Sequence, residues 1–547
     1  MVKFITAREA AEKIPDGCTL AAAGMGLSGW AEEIACAVRD RYRETGHPAG
    51  LTLRQGGAIG DWGFGNGFFG WDRSPRPEKD TAHGSRGVTR FGEAGPGLIT
   101  KWVSGHIGSA FTLCEQVTKN QIACHCIPQG VAMNLWREIA AGRPGLITKV
   151  GLGTFVDPRQ EGGRMNAAAE GNAAELLTLG GEEYLFYPAF RVDVALLRGT
   201  IADEKGNISF THEGLLNEGL AVAQAAKNSG GIVIVQVEYL AKAETLPPND
   251  VRIPGALVDY VVQARDPMSC WQAEGDYWEP SFSGQFRRPL SSIAPLPLTE
   301  RKVICRRCAM ELRPGALVNL GVGVPADVSK VVAEEGFLEK MTLSTECGIV
   351  GGVPSAHPSF GLAYNPEMIM TPNEMFDMLD GGCLDLTCLG IGEIDEEGNN
   401  NVSRMGKRLI GPGGFINITR ATKKVVFAGT MLSHAKFRIG DGKLMILEEG
   451  DIQKFIPHVT QITFSGKYAP DDQEILYVTE RAVFRLLHHR MTLCEVAPGI
   501  DVERDVLAHM GFRPDISPDL RLMDPGIFTE HWGGLGRYLG GQAQQGR

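Results

Sequence analysis

The chain has 547 residues, 43% hydrophobic and 22% charged, a balance that excludes a disordered polymer and, at roughly 100–200 residues per domain, fits about three or four domains. Fifty-four Lys and Arg against 65 Asp and Glu leave a net charge of −11, and no basic run provides the face that a nucleic-acid binder needs. No stretch reaches the ~18 consecutive apolar residues of a membrane span. Charges at Lys3, Arg8, Glu9, Glu12 and Lys13 break the apolar run that a signal peptide requires. The 12 cysteines lack framework spacing and read as reduced thiols, so the expectation is a cytoplasmic protein with no nucleic-acid or membrane partner. Glycine is abundant: 70 residues, where the ordinary share is ~7%. With no G-X-Y period, these mark turns in which backbone approaches backbone or a ligand.

In chain order, residues 16–45 predict a strand (Thr19-Leu-Ala-Ala-Ala), a glycine turn (Gly24-Met-Gly-Leu-Ser-Gly29) and a helix from Trp30 to Arg43. Residues 61–88 form an aromatic, Gly-rich loop with Trp62, Phe64, Phe68, Phe69 and Trp71. Residues 192–207 then align without gaps to residues 384–399, with six of sixteen positions identical. At the same offset of 192, Gly231–Val237 faces Lys423–Gly429. A repeat of this length is a domain duplication. Trp271 to Thr299, with four prolines and no period, reads as a connection. A second strand–turn–helix opens at 315 with Ala316-Leu-Val-Asn-Leu, Gly321-Val-Gly-Val-Pro325 and a helix over Ala326–Glu335. The expected fold is therefore α/β: two related open domains with mainly parallel sheets and an active site in the cleft between them. The expected boundaries are 1–275, a linker 276–299, 300–524, and a poorly ordered tail 525–547.

The turn Gly24–Gly29 fits the dinucleotide pattern G-x-G-x-x-G, but Gln55 stands where the acidic residue should close the second strand. A dinucleotide-dependent oxidoreductase is the remote alternative. P-loop, zincin and nucleophile-elbow signatures are absent, and Cys305-Arg-Arg-Cys308 and Cys124-His-Cys126 lack partners for a metal site, so no metal is expected. Thr342-Leu-Ser-Thr-Glu346-Cys-Gly-Ile-Val-Gly-Gly-Val-Pro354 is more pointed: a strand ends in a carboxylate, where open α/β sheets hold ligands, and three glycines follow. A glutamate is already ionised at neutral pH and needs only positioning to act as a nucleophile. Cys347 is the competing nucleophile. Gly411-Pro-Gly-Gly414 offers backbone N–H groups that can face a developing negative charge.

With these segments in this order, the chain resembles the family I coenzyme A transferases of the fused-subunit acetate/propionate type. The resemblance rests on Ile127-Pro-Gln-Gly130, Arg191–Leu196 through Gly206-Asn207, Ile253–Val262, Val318–Pro325, Glu346–Pro354, Phe376–Gly382 and Gly411–Gly414. It implies CoA transfer from a short-chain acyl-CoA to an acceptor carboxylate by a ping-pong route, with Glu346 forming a glutamyl-CoA thioester. Gln129, Gly411, Gly413 and Gly414 are implied beside the thioester, and Gly24, Gly26, Gly348, Gly351 and Gly352 at the substrate. CoA is then substrate and covalent intermediate, no cofactor is permanently bound, the partners are an acyl-CoA and a free carboxylic acid, and the assembly is a homo-oligomer (dimer or tetramer). An acyl-CoA hydrolase using the same glutamate is the alternative. Two departures stand out. Glu32 or Glu33 replaces an Asn that follows the first glycine turn in related two-subunit enzymes, and loop 61–88 is longer than usual. That loop is expected either to line the acyl site and admit a bulkier or aromatic acid, or to form an oligomer contact.

Overall fold

The computed structural model describes residues 2–57, 59–60, 86–273, 277–289, 295–355 and 359–541. The first sheet is built from β1 (Lys3–Phe4), β2 (Thr19–Ala22), β3 (Leu51–Gln55), β4 (Ile99–Ser104), β5 (Ala123–Cys126), β6 (Val194–Asp203), β7 (Ile232–Ala241) and β8 (Tyr260–Gln263). Their spatial order is β1-β8-β7-β6-β2-β3-β4-β5, and every pairing along it is parallel; the short strands Ile208–Ser209 and Val251–Ile253 add antiparallel pairs beside β6. The sequence shows why: Val233, Ile234, Val235 and Val237 are all fully buried, which is the continuous apolar run of a strand covered on both faces.

The second sheet contains β9 (Leu317–Leu320), β10 (Thr342–Thr345), β11 (Ile349–Val350), β12 (Met368–Ile369), β13 (Leu386–Gly390), β14 (Lys424–Ala428), β15 (Glu474–Val478), β16 (Ala482–Leu487), β17 (Arg490–Val496) and β18 (Asp515–Leu522). Its order is β12-β11-β10-β9-β13-β14-β15-β16-β17-β18. The centre from β10 to β15 is parallel, antiparallel pairings extend it on either side, and β17 pairs with the edge strand β18 in parallel. Both sheets are α/β and mainly parallel, as expected from the alternation of strands, glycine turns and helices. Among the described residues no helix is long and apolar enough to cross a membrane.

The repeat is visible in the hydrogen bonds. The run β7-β6-β2-β3 of the first sheet has the same connectivity as β14-β13-β9-β10 of the second. Asp193 accepts from the Thr19 amide at the start of β2 (2.9 Å), and Asp385 accepts from the Leu317 amide at the start of β9 (2.9 Å). Asn207 donates from its side chain to Asp203 (2.9 Å), and Asn399 does the same to Asp395 (3.0 Å). Gly206 and Gly398 take left-handed φ of 82° and 75° inside these turns. Identical residues at an offset of 192 thus do identical jobs.

One expectation needs correcting. The segment from Pro525 is not a loose tail through residue 541: Ile527, Phe528 and Leu535 are fully buried in the core of the second sheet. The buried Arg306 donates to the carbonyls of Ile527, Thr529 and Glu530, at 3.1, 2.6 and 3.0 Å. Gly-rich spacing hides this, because the anchors are single aromatic and aliphatic residues rather than a periodic face. The connection, too, is packed: Phe282 is fully buried, its ring 4.8 Å from that of Tyr364, and Asn365 accepts from the Arg288 amide at 2.9 Å. Phe528→Ala is expected to cost about 3–5 kcal/mol. The check is the urea midpoint of the C-terminal half, and an unshifted midpoint would restore the tail.

Candidate active site

Strand β10 ends at Thr345, and the next residue, Glu346, is buried at 7% exposure. Beside it in register, Asn319 of β9 pairs with Ser344. The Thr387 hydroxyl of β13 donates to Asn319 Oδ1 (3.2 Å), which turns the Asn319 amide nitrogen towards Ser344 O (3.5 Å) and the Glu346 carboxyl. Burial pushes the Glu346 carboxyl above the usual carboxylate range, while its own backbone amide and the Asn319 side chain pull it down. One oxygen, Oε2, has no hydrogen-bond partner.

The segment Gly411–Gly414 lies directly against this carboxyl. A Cβ at Gly414 would stand 3.2 Å from Glu346 Cγ, so any side chain there would crowd the carboxyl. At Gly413, whose φ is +56°, it would lie 3.7 Å from Gln129 Oε1 and 3.9 Å from His106 Cδ2. The two halves of the chain are stitched together here. Ile107 and Gly108 donate their amides to Ile410 O (2.8 and 3.0 Å), Gly413 donates to Gly105 O (2.8 Å), and Gln129 donates to Gly413 O (3.0 Å). Helix α1 (Gln129–Ala140) starts at this seam, where the Gly130 amide donates to Asn417 Oδ1 at 3.0 Å. Asn417 in turn donates to both oxygens of Asp380 (2.9 and 3.1 Å), whose pKa burial raises to about 7. Gln129 itself is 1% exposed, and its amide nitrogen has no hydrogen-bond partner.

Glu346, Gln129, His106, Gly411, Gly413 and Gly414 line one cavity of about 810 Å³. Its walls divide by chemistry. Met25, Val322, Phe360, Leu389 and Phe415 are apolar, while Arg408, Ser433, Gln453 and Lys454 are polar or cationic. Cys347 does not reach this surface. It is fully buried with Met25 and Phe360 behind the wall, and burial drives its thiol well above the ordinary range, which removes it as a nucleophile.

Other candidate residues fall elsewhere. Gly24, Gly26, Gly348, Gly351 and Gly352 are not among the residues lining the cavity. A Cβ at Gly348 would meet Met370 O at 2.1 Å, at Gly351 the Glu367 side chain at 2.5 Å, and at Gly352 Tyr364 O at 2.3 Å. Their glycines serve chain packing, which leaves the same mark in a sequence as ligand approach. Glu32 forms a buried ion pair with Arg90 (2.6 Å), and Glu33 accepts from the Arg265 amide (2.7 Å). The amides of Glu33 and Ile34, which a dinucleotide pyrophosphate would need, already donate to Gln236 at 3.0 and 3.3 Å. Of loop 61–88, residues 61–85 lie outside the described residues. Sequence reasoning missed Asn319 and His106, whose placement depends on neighbouring strands rather than on any local motif.

It also missed Glu218, which precedes the helix α2 (Gly219–Asn228) and is 1% exposed, with no hydrogen bond closing on either oxygen. The Gly24 and Gly56 amides offset a small part of the burial, which raises its pKa from 4.5 to about 8. A carboxyl with a raised folded-state pKa contributes its stability fully below pH ~4.5 and loses it as pH rises through about 8. Between pH 5 and 8.5 the melting temperature should therefore fall more steeply in the native protein than in Glu218→Gln. Parallel melting curves for the two proteins would place Glu218 in the ordinary carboxylate range.

Residues 93–264 match the family described as coenzyme A transferase. The chain is 56% identical over 546 residues to caffeate CoA-transferase of Acetobacterium woodii, covering 99% of this chain and 100% of that one. It is 37% identical over 534 residues to acetate CoA-transferase YdiF of Escherichia coli strain K12, covering 97% and 96%. The crystal structure of the acyl-CoA transferase YdiF apoenzyme from Escherichia coli O157:H7 superposes with a TM-score of 0.88 at 36% identity over 97% of each chain. A YdiF thioester complex with CoA superposes with a TM-score of 0.87. With 56% and 37% identity over nearly its full length to CoA-transferases, the chain belongs to the coenzyme A transferase family and is an enzyme of CoA transfer.

Proposed function

We propose that the enzyme moves CoA between an acyl-CoA and a free carboxylic acid through a glutamyl-CoA thioester on Glu346. The observation that carries this reading is the Glu346 carboxyl, buried in the cavity against Gly414, with the unpartnered Gln129 amide nitrogen on the same wall. Ionised Glu346 attacks the acyl-CoA carbonyl, forming an acyl-glutamyl anhydride and releasing CoA thiolate. The thiolate attacks the glutamyl carbonyl, expelling the donor acid as its carboxylate and leaving the thioester. The acceptor carboxylate attacks that thioester and frees the thiolate again. Thiolate attack on the acyl carbon of the new anhydride then gives the new acyl-CoA and regenerates Glu346.

A carboxylate is a weak nucleophile, so the site must supply much of the driving force. Fixed geometry contributes ~7–11 kcal/mol in well-oriented systems. Each oxyanion donor adds roughly 3 kcal/mol, the task assigned to the Gln129 side chain, since the Gly411 and Gly413 amides already donate to Ser403 O and Gly105 O. Arg408 and Lys454 suit the phosphates of CoA, and its bound nucleotide end can be used to strain and orient the thioester. The apolar wall of Met25, Val322, Phe360, Leu389 and Phe415 suits an acid with a flat apolar body. With caffeate CoA-transferase at 56% identity, the acceptor class proposed is the aromatic propenoic acids. The closed position of Glu346, at 7% exposure, favours transfer over hydrolysis, because water must be kept from the thioester.

The test is intact mass after incubation with a panel of acyl-CoAs, followed by peptide mapping. The expected result is a gain of one CoA on the peptide carrying Glu346; an adduct on another residue, or turnover with no adduct, overturns the assignment. Glu346→Asp withdraws the carboxylate by one methylene and should cut kcat by about 100-fold or more. Because the nucleophile must be ionised and burial raises its pKa, activity should rise with pH along an acid limb above the ordinary glutamate range. Asn319→Leu removes one of the two groups that lower that pKa and should move the limb to higher pH, read from kcat/KM profiles. An unmoved limb would separate Asn319 from the nucleophile.

A further inference from the structure

His106 is the one imidazole on the wall of the Glu346 cavity among the described residues, and the transfer chemistry proposed above leaves it without a proton to move. Every step of that chemistry exchanges anions: a carboxylate attacks, a thiolate or carboxylate leaves, and no proton changes place. A general base is not needed there. Nor is one available, since complete burial lowers the imidazole pKa to about 3 and keeps the ring neutral at any working pH.

The backbone that carries the ring is fixed. Ser104, the last residue of β4, donates its hydroxyl to His106 O (2.8 Å) and accepts from the His106 amide (3.2 Å), closing a tight turn. The flanking residues Gly105, Ile107 and Gly108 carry the backbone bonds to Ile410 and Gly413 that join the two halves. The Cδ2–Nε2–Cε1 edge of the ring faces this seam: Cδ2 lies 3.9 Å from the Cβ position of Gly413 and Cε1 lies 3.0 Å from that of Gly108. The same Gly413 point is 3.7 Å from Gln129 Oε1, and the adjacent Gly414 point is 3.2 Å from Glu346 Cγ. An imidazole edge, a primary amide and the reacting carboxyl therefore converge on two adjacent glycines.

We propose that His106, with its proton on Nε2, donates a hydrogen bond to the carbonyl oxygen that becomes negatively charged when Glu346 and the thioester react, alongside Gln129. This rests on the covalent reading of Glu346. A neutral N–H suits the task better than a cation, because it stabilises the transient oxyanion without forming a lasting ion pair with ionised Glu346 in the resting enzyme. It also explains why burial that suppresses titration is tolerated here.

The experiment compares His106→Phe, which keeps bulk and removes the donor, with His106→Gln, which returns an N–H near the Nε2 position. Stopped reactions with acyl-CoA, read by intact mass, give the rate at which the CoA adduct forms on Glu346. The expected result is a ~100- to 1000-fold loss in His106→Phe, with KM for acyl-CoA within a few-fold and partial recovery in His106→Gln. The infrared carbonyl band of the trapped adduct should move to higher frequency in His106→Phe, and pH profiles should be superimposable between pH 6 and 9. Adduct formation at the native rate in His106→Phe, or loss of a limb near pH 6–7 on substitution, overturns the proposal. So does equal loss in both variants with an unshifted carbonyl band. If His106→Phe does not fold, the rate and carbonyl band of His106→Gln decide alone: a partial loss of rate with a small shift of the band to higher frequency supports the donor, and a native rate, or a loss with no band shift, overturns it. Failure of the covalent reading shows separately, as absence of the Glu346 adduct in the native enzyme.

Discussion

The carboxylate proposed as nucleophile poses one constraint from which the rest of the site follows. It must be dry enough to be reactive and to keep water off its thioester, yet drying it favours the protonated form that cannot react. The structure balances these at Glu346 with few elements. Burial raises the pKa, while the residue's own amide and the Asn319 side chain lower it. Asn319 is aimed by Thr387 on the next strand, so three neighbouring parallel strands set the charge of one side chain. The second oxygen is left without a partner, which is costly for a buried carboxyl and intelligible where a reacting carbon must approach.

Duplication explains how such a site could be assembled. Glu346 follows β10 just as Gly56 follows β3 in the corresponding strand of the first half. One half supplies the carboxylate at that position, whereas the other leaves it bare. In return the first half supplies Gln129 and His106 from the ends of strands β5 and β4, and its backbone bonds to residues 410–413 bring them to the glutamate. The chemistry sits where the repeats differ, while Asp193, Asp203, Asn207 and their partners Asp385, Asp395, Asn399 keep the shared framework.

What the sequence made legible was local. The duplication could be read because its marker residues bond to atoms within a few positions or to the adjacent strand, so identical chemistry recurs at a fixed offset. Glu346 could be read because a strand ending in a carboxylate followed by glycines is a local pattern. Asn319, His106 and Glu218 were silent, because their meaning comes from burial by segments distant in the chain. Glycines misled in one direction: Gly348, Gly351 and Gly352 are small to clear carbonyls and a side chain of residues 364–371, whereas Gly413 and Gly414 are small beside Gln129, His106 and Glu346. The segment after Pro525 misled because Arg306 anchors it through backbone carbonyls, which carry no side-chain signature.

The same physics bears on the choice between transferase and hydrolase. Both reactions share every intermediate up to the glutamyl thioester, and they part only in whether water or a carboxylate reaches it. At the seam between the halves, four backbone hydrogen bonds hold residues 105–108 and 129 against residues 410–413 beside the Glu346 cavity. Such bonds are insensitive to side-chain identity, so the seam can persist while the apolar wall changes to accept different acids. The names of two relatives, one for acetate and one for caffeate, show how unlike the acids taken on this scaffold are.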